Sequence, residues 1–326
     1  MLIKDTATLL KYTGVINTVK FNEMELTIDY IEKKQLLPIV GWDLYLELDK
    51  YDGNEANAEN LAELREYCRK VIGPYACAAY APKVAVQLSS AGMQRIESEN
   101  AKSAFAYQEK NFIAQQVAEG DVAIETLVQY LFKYKASFQT WTDSEEFKEM
   151  SKLFIKSGAE FDRLYKTNQP WRFYWAIRFK MAEVEELSIK NAITKPLFDA
   201  LKVKIAGDGE LSENESALIS YLKKAIVYQT LAVAIPHLNV RIDENGITII
   251  SDFGSIQGKE SVKAADDNRI SKLIDSCQSS AQMWLTKSVE FIAANPSSFE
   301  DWTAPAQTAT TNKTGNETNT GVYAMI

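Results

Sequence analysis

The feature that most constrains this chain is that it repeats. Ala79-Tyr80-Ala81-Pro82-Lys83-Val84-Ala85-Val86-Gln87-Leu88 runs on to Gly92-Met93, and Val233-Ala234-Ile235-Pro236-His237-Leu238-Asn239-Val240-Arg241-Ile242 runs on to Gly246-Ile247. An offset of 154 residues pairs Pro82 with Pro236, Val86 with Val240 and Gly92 with Gly246. It continues backwards through Tyr67 and Tyr221, Lys70 and Lys224, and Ile72 and Ile226. Further upstream an offset of 158 pairs Glu25 with Glu183, Ile31 with Ile189 and Pro38 with Pro196, which puts a four-residue difference in the loop-like Tyr51-Asp52-Gly53-Asn54-Glu55. Self-similarity at a long fixed period indicates tandem copies of one structural unit.

Each copy carries the same pattern. Leu61, Leu64, Cys68, Val71, Ile72, Tyr75 and Ala79 recur at steps of three and four, one face of an amphipathic helix. Leu218, Leu222, Ala225, Ile226 and Val233 form the matching stripe. Ser212 and Glu215 are spaced as a capping box, in which hydroxyl and carboxylate satisfy the free N–H groups at a helix start. Each long helix is expected to end near its proline. Alternation then replaces the helical period, through Leu238, Val240, Ile242, Ile247 and Ile249, with Asp243-Glu244-Asn245-Gly246 as the turn of a hairpin. A further helix should precede each unit, at about 22–36 and 171–191. Another should follow each hairpin, at about 99–136 with Phe105, Phe112, Val117, Leu127 and Leu131 inward, and at about 264–293 with Ile270, Ile274, Cys277, Met283 and Val289 inward. Phe147, Met150, Leu153, Phe154, Phe161 and Leu164 suggest one helix at 144–166.

The expected fold is therefore mainly α: two tandem related helical-bundle units, each with a small β-hairpin, plus a disordered or extended C-terminal arm. Unit 1 is 1–140 with its hairpin near 84–97, and unit 2 is 141–302 with its hairpin near 238–251. The arm is the low-complexity stretch 303–326, which holds seven threonines and two charges and cannot bury enough surface to fold alone.

Composition narrows the function classes. Lys and Arg total 36 against 44 Asp and Glu, a net charge of −8, which disfavours a broad phosphate-gripping surface. The single histidine, His237, removes the commonest general base and metal ligand from most schemes. Gly207-Asp208-Gly209 precedes a helix cap and lacks a phosphate-loop setting, and Asp266-Asp267-Asn268 lacks the glycine and terminal glutamate of a calcium loop. The reading is no enzyme, no catalytic residue, no cofactor and no metal. Cys68, Cys77 and Cys277 contain no CxxC pair and read as free thiols, the first two as small hydrophobes inside a helix. No signal peptide is expected, and no window reaches 18 uncharged apolar residues, so no membrane partner is expected. Glu183-Val184-Glu185-Glu186 and Asp143-Ser144-Glu145-Glu146 read as solvated faces.

Trp171-Arg172-Phe173-Tyr174-Trp175, continuing to Phe179, is the densest aromatic cluster. So many rings cannot share one side of a 3.6-residue period, so Trp171, Arg172, Tyr174 and Trp175 are candidate protein-interface residues. Val322, Tyr323, Met325 and Ile326 return to apolar chemistry after the polar tether and are the second interface candidate, an arm that orders against a neighbouring chain.

Leu37-Pro38-Ile39-Val40-Gly41, then an Ala-rich helix into a short hairpin, resembles the head–tail connector (adaptor) proteins of tailed bacteriophages. Trp171-Arg172-Phe173-Tyr174-Trp175-Ala176-Ile177-Arg178 and Arg241-Ile242-Asp243-Glu244-Asn245-Gly246 resemble a family of Bacteroides phage and prophage proteins. The resemblance covers about 170–260 directly and 20–100 through the repeat. It departs from simple connectors in having two copies. It implies a virion structural protein, made in the host cytoplasm. The subunit would form a homo-oligomeric connector ring between the portal and neighbouring tail or ring proteins, with DNA passing through the lumen without specific binding. An acidic wall suits such a lumen because it repels phosphates. A cytoplasmic helical scaffold or interaction protein is the alternative, and a carbohydrate-binding helical protein using the tryptophan cluster is a third.

Overall fold

A computed structural model describes residues 1–13, 20–52, 58–84, 86–89, 92–95, 105–167, 170–207, 209–238, 240–243, 246–249, 267–300 and 302. Within them the chain is mainly helical. Unit 1 consists of α1 (Thr6–Thr13), α2 (Phe21–Ile31), a π-helical turn (Glu32–Leu36) leading into α3 (Leu37–Val40), α4 (Trp42–Lys50) and the long α5 (Ala58–Val84). Strands β1 (Val86–Ser89) and β2 (Gly92–Arg95) pair antiparallel, with Leu88 opposite Met93. Then α6 (Ala106–Lys133) packs back along α5, followed by a 3-10 turn (Lys135–Ser137) and the short α7 (Gln139–Thr142). The bridging helix α8 (Glu145–Ser151) leads to α9 (Gly158–Leu164), α10 (Pro170–Val184), a second π turn (Glu185–Ile189), α11 (Lys190–Ile193), α12 (Lys195–Gly207) and α13 (Glu213–Leu238). Strands β3 (Val240–Asp243) and β4 (Gly246–Ile249) pair antiparallel, with Ile242 opposite Ile247. The closing helix α14 (Asp267–Ala294) packs along α13 and ends in another 3-10 turn (Pro296–Ser298).

The order of elements is the same in both halves, and local chemistry fixes which residues correspond. Both π turns start at a fully buried glutamate, Glu32 or Glu185, whose carbonyl accepts from the N–H five residues on, at Leu37 or Lys190. Each carboxylate also takes a backbone N–H from the segment that opens its own unit: Leu2 at 2.7 Å in unit 1, Phe154 at 2.9 Å in unit 2. Three residues further on, Asp5 or Ser157 caps the next helix by accepting from Thr8 N–H (2.8 Å) or Glu160 N–H (3.1 Å). The π-bulged helix then ends in a left-handed corner, Gly41 (φ 75°) or Thr194 (φ 68°). Glu32 thus corresponds to Glu185, and Pro38 falls opposite Asn191. The 158-residue offset of the sequence reading, with its Pro38–Pro196 match and four-residue loop difference, is corrected.

Other expectations are corrected too. Residues 144–166 are not one helix. The chain is extended between α8 and α9 because Phe154 donates its N–H to Glu185, and Ser157 restarts the helix. Glu185 is buried, not part of a solvated acidic face. Phe105, Phe112 and Met283 are exposed, while Gln116, Ile124, Leu127 and Leu131 line the inner face of α6 and Cys277, Ala281 and Ile292 that of α14. Helices α5 and α13 run two residues past Pro82 and Pro236, since proline withdraws only its own N–H and the carbonyl four residues back. His237 therefore lies in the last turn of α13.

The stripes that mark α5 and α13 are core: Leu61, Leu64, Cys68, Val71 and Ile72 in one, Leu218, Leu222, Ala225 and Ile226 in the other. Ser212 and Glu215 form the reciprocal cap, with Glu215 N–H on Ser212 Oγ (3.2 Å) and Ser212 N–H on Glu215 Oε2 (2.9 Å). Burial pushes the Cys68 thiol well up and that of Cys77 to about 11, so both are inert packing atoms. Glu213–Pro236 is long and apolar enough to cross a membrane, yet here it is the central helix of unit 2, with 56% of its apolar window buried.

The two buried glutamates differ in their second partner. Glu32 Oε2 accepts from the Tyr45 hydroxyl at 2.6 Å, whereas Glu185 Oε2 is held by the Lys202 ammonium. Burial raises the pKa of both carboxyls, against the pull of Tyr45 and Leu2 N–H in one and of Lys202 in the other. A carboxyl with a raised folded pKa gives stability that is full below its ordinary value and is lost as pH rises through the raised one. Glu32→Gln keeps both hydrogen bonds, because Tyr45 can turn from donor to acceptor. It should leave stability at neutral pH nearly unchanged and flatten this decline. Glu185→Gln removes the counter-charge of Lys202, leaving its ammonium the Lys152 carbonyl, and should cost about 2 kcal/mol. Urea unfolding of both variants between pH 4.5 and 8 checks the contrast. Thr194 is β-branched in a backbone region suited to glycine, and its buried Oγ1 has no hydrogen-bond partner among the described residues. Thr194→Gly should stabilise the protein by about 1 kcal/mol, measured as a higher urea midpoint.

Candidate interaction surfaces

The aromatic cluster of α10 divides by helical period. Trp171 and Tyr174 lie on the buried face with Ile177, Met181 and Val184, and the Tyr174 hydroxyl donates to the Ile155 carbonyl at 3.2 Å. They are core residues and have no surface to offer a partner. Trp175 stacks on Trp171, with ring centroids 5.1 Å apart, and the Arg178 guanidinium sits 3.6 Å above its ring. That cover removes the open ring face that sugar stacking needs. Phe179, one step round the helix, is the exposed aromatic, at 61%.

Arg172 has an internal task. Its Nε donates to Asp121 Oδ1 of α6 at 3.0 Å, and the Tyr75 hydroxyl of α5 donates to the same oxygen. Tyr75 and Asp121 belong to unit 1 and Arg172 to unit 2, so the trio ties the units together. One helical turn along α6, Glu125 Oε1 accepts the N–H of Ala159 at the start of α9 (3.0 Å). The approach is close enough that a Cβ on Gly158 would meet that oxygen at 2.2 Å. Burial raises the pKa of both acids, opposed at Asp121 by Tyr75 and Arg172 and at Glu125 by the α9 backbone. Of the four aromatic-cluster candidates, three are thus placed in the core or between units, and Trp175 is half-covered. Val322, Tyr323, Met325 and Ile326 lie outside the described residues, as does the side chain of His237. Among the described residues no three His, Cys, Asp or Glu side chains converge on a metal-binding point.

Exposed apolar residues form a second set, which sequence reasoning missed. Leu26 (84%) and Phe179 occupy equivalent positions six residues before the buried glutamate of each π turn. Ser137-Phe138 and Trp141 recur as Ser298-Phe299 and Trp302, each pair closing its unit with the same 3-10 turn. The Trp141 indole donates to the Ile39 carbonyl at 2.9 Å, whereas Trp302 Nε1 is buried without a partner among the described residues. This repeated Ser-Phe-x-x-Trp pattern aligns α6 with α14. It matches exposed Val122 with exposed Met283 and half-exposed Phe112 with Leu273.

A groove of about 490 Å³ opens between α1, α5 and α6, lined among others by Lys11, Glu66, Tyr67, Lys70, Ala123 and Thr126. Partial burial raises the Glu66 carboxyl. The Tyr12 hydroxyl and the Lys11 and Arg69 cations outweigh it and hold the pKa down to about 2.

A protein-family model described as a family of unknown function (DUF6712) matches residues 36–150 and 189–312. The two matched stretches fall on the two halves, consistent with tandem related units. No curated protein and no solved structure matches the chain.

Removing the cation between the units should be costly. Arg172→Met leaves Asp121 buried beside Tyr75 alone and should destabilise the protein by about 3 kcal/mol. Adding Asp121→Asn should recover most of that loss, because no buried charge then remains. A double-mutant cycle by urea denaturation reads the coupling.

Proposed function

Starting from a chain that belongs to the DUF6712 family of unknown function, we propose that this protein is a non-enzymatic virion structural subunit. It forms a homo-oligomeric connector ring between portal and tail, and each of its two helical units carries a small hairpin. The observation that carries this reading is the duplicated set of exposed apolar positions: Leu26 with Phe179, Phe112 with Leu273, Val122 with Met283. Side chains of this kind left in water at matching places on two units suit a chain that makes the same sort of protein contact repeatedly. The resemblance to connector proteins supplies the setting, and the net charge of −8 suits a wall along which DNA must slide without sticking.

The test is native mass spectrometry and particle imaging of the full chain. The expected result is a closed ring of one stoichiometry that does not shift duplex DNA in a gel at physiological salt. A chain that stays monomeric at every concentration, or one that retains duplex DNA, would overturn the proposal.

A further inference from the structure

The groove on unit 1 is the counterpart of a site that unit 2 fills with its own tryptophan. The long helices align Tyr67 with Tyr221 and Lys70 with Lys224, and the Ser-Phe-x-x-Trp pattern aligns Tyr130 with Phe291 and Ala123 with Trp284. The ring geometry agrees: Tyr67 and Tyr130 lie 4.8 Å apart, Tyr221 and Phe291 5.5 Å. In unit 2 the Trp284 indole stacks on Tyr221 at 6.0 Å, with Lys224 at 4.2 Å and Lys287 at 5.2 Å over its ring. In unit 1 Tyr67 keeps its Lys70, 5.1 Å above the ring, but Ala123 leaves the indole position open as the groove. The tyrosine and lysine walls that clamp a tryptophan in unit 2 recur in unit 1 without one, with Thr126 in the place of Lys287.

Unit 1 also carries a tryptophan that unit 2 lacks. Trp42 follows the left-handed Gly41, where unit 2 has Lys195 after Thr194, and it is 54% exposed. It does not line the groove of its own chain. Its surroundings are acidic: Asp43 is exposed beside it, and Glu146 lies against Gly41. The groove carries Lys11 and Lys70 together with Glu66 and Glu119; Lys11 is paired with Glu66 at 2.9 Å, so the cation set against the acidic flank of Trp42 is Lys70. We propose that the groove of unit 1 is an aromatic-binding socket that receives Trp42 from a second copy of this chain. Socket and plug are different surfaces of one unit, so the contact is head-to-tail, the kind that closes a ring when its rotation permits. This inference rests on the ring reading above and names its contact.

The full chain tests it by sedimentation velocity. Ala123→Trp fills the socket from within, as unit 2 does, and Trp42→Ala removes the plug. Each should weaken self-association at least about tenfold, as losing a tryptophan hot spot does, with thermal unfolding unchanged. Ala123→Phe is the milder filling should the indole disturb folding. Native chain that assembles while both variants assemble equally well overturns the socket and leaves the ring standing. Native chain that does not assemble at all overturns the ring reading itself. Loss of assembly on deleting 303–326 but not on Trp42→Ala would assign the socket to the C-terminal arm and overturn the role of Trp42.

Discussion

Each half of this protein is organised around a carboxylate that water does not reach. A buried glutamate has two oxygens and must find donors for both. One donor is the backbone of the segment that opens the unit, Leu2 or Phe154, and this pins that segment across the π-bulged helix. The π turn lets the glutamate carbonyl bond five residues ahead, and the helix then breaks at a left-handed corner. A Cβ on Gly41 would come within 3.0 Å of Glu146, so the bridging helix α8 also packs against that corner. Opening segment, bulged helix, corner and bridge thus depend on one buried acid finding its partners.

The second donor shows how the copies have diverged. Tyr45 is neutral and Lys202 is charged, so unit 2 holds an ion pair where unit 1 holds a hydrogen-bonded acid. Asp49 stands opposite Lys202 along the equivalent helix and faces outward to Lys4 and the Met1 amine. One position has exchanged the sign of its charge, and its neighbours have changed with it. The contact between units is likewise unrepeated. Asp121 and Glu125, which hold unit 2, have Gln282 and Thr286 as counterparts, both exposed.

Much of the helical scaffold was legible because it obeys simple rules. The stripes on α5 and α13 are apolar at the right spacing, and the Ser212–Glu215 cap is a local pattern with local partners. The register between copies was not legible from prolines, because the first copy has Pro38 inside its bulged helix and the second has Asn191 there. The true marker was a charged residue in a position that hydrophobic patterning assigns to solvent, and Glu185 sat in an acidic run that masked it. Two weak signals were available: Ile3-Lys4 against Ile155-Lys156, and Ser-Phe-x-x-Trp ending each unit. The aromatic cluster misled in the opposite direction. Residue type suggested exposure, whereas spacing from Trp171 through Tyr174, Ile177 and Met181 already traced a buried face.

The link between Arg172 and Asp121 has a consequence for the order in which the chain acquires its structure on the ribosome. Leu2, Glu32 and Tyr45 all emerge early, so the acid network of unit 1 can close using only residues already made. Asp121 cannot do likewise, because its cation is synthesised 51 residues later. Until Arg172 appears, a nascent first unit displays Asp121 and Glu125 on α6 in water, where both are free to ionise and hydrate. The same pair that repels premature burial becomes the dock for α9 and α10 once they arrive. The acids of α6 thus wait for a cation that lies 51 residues further along the chain.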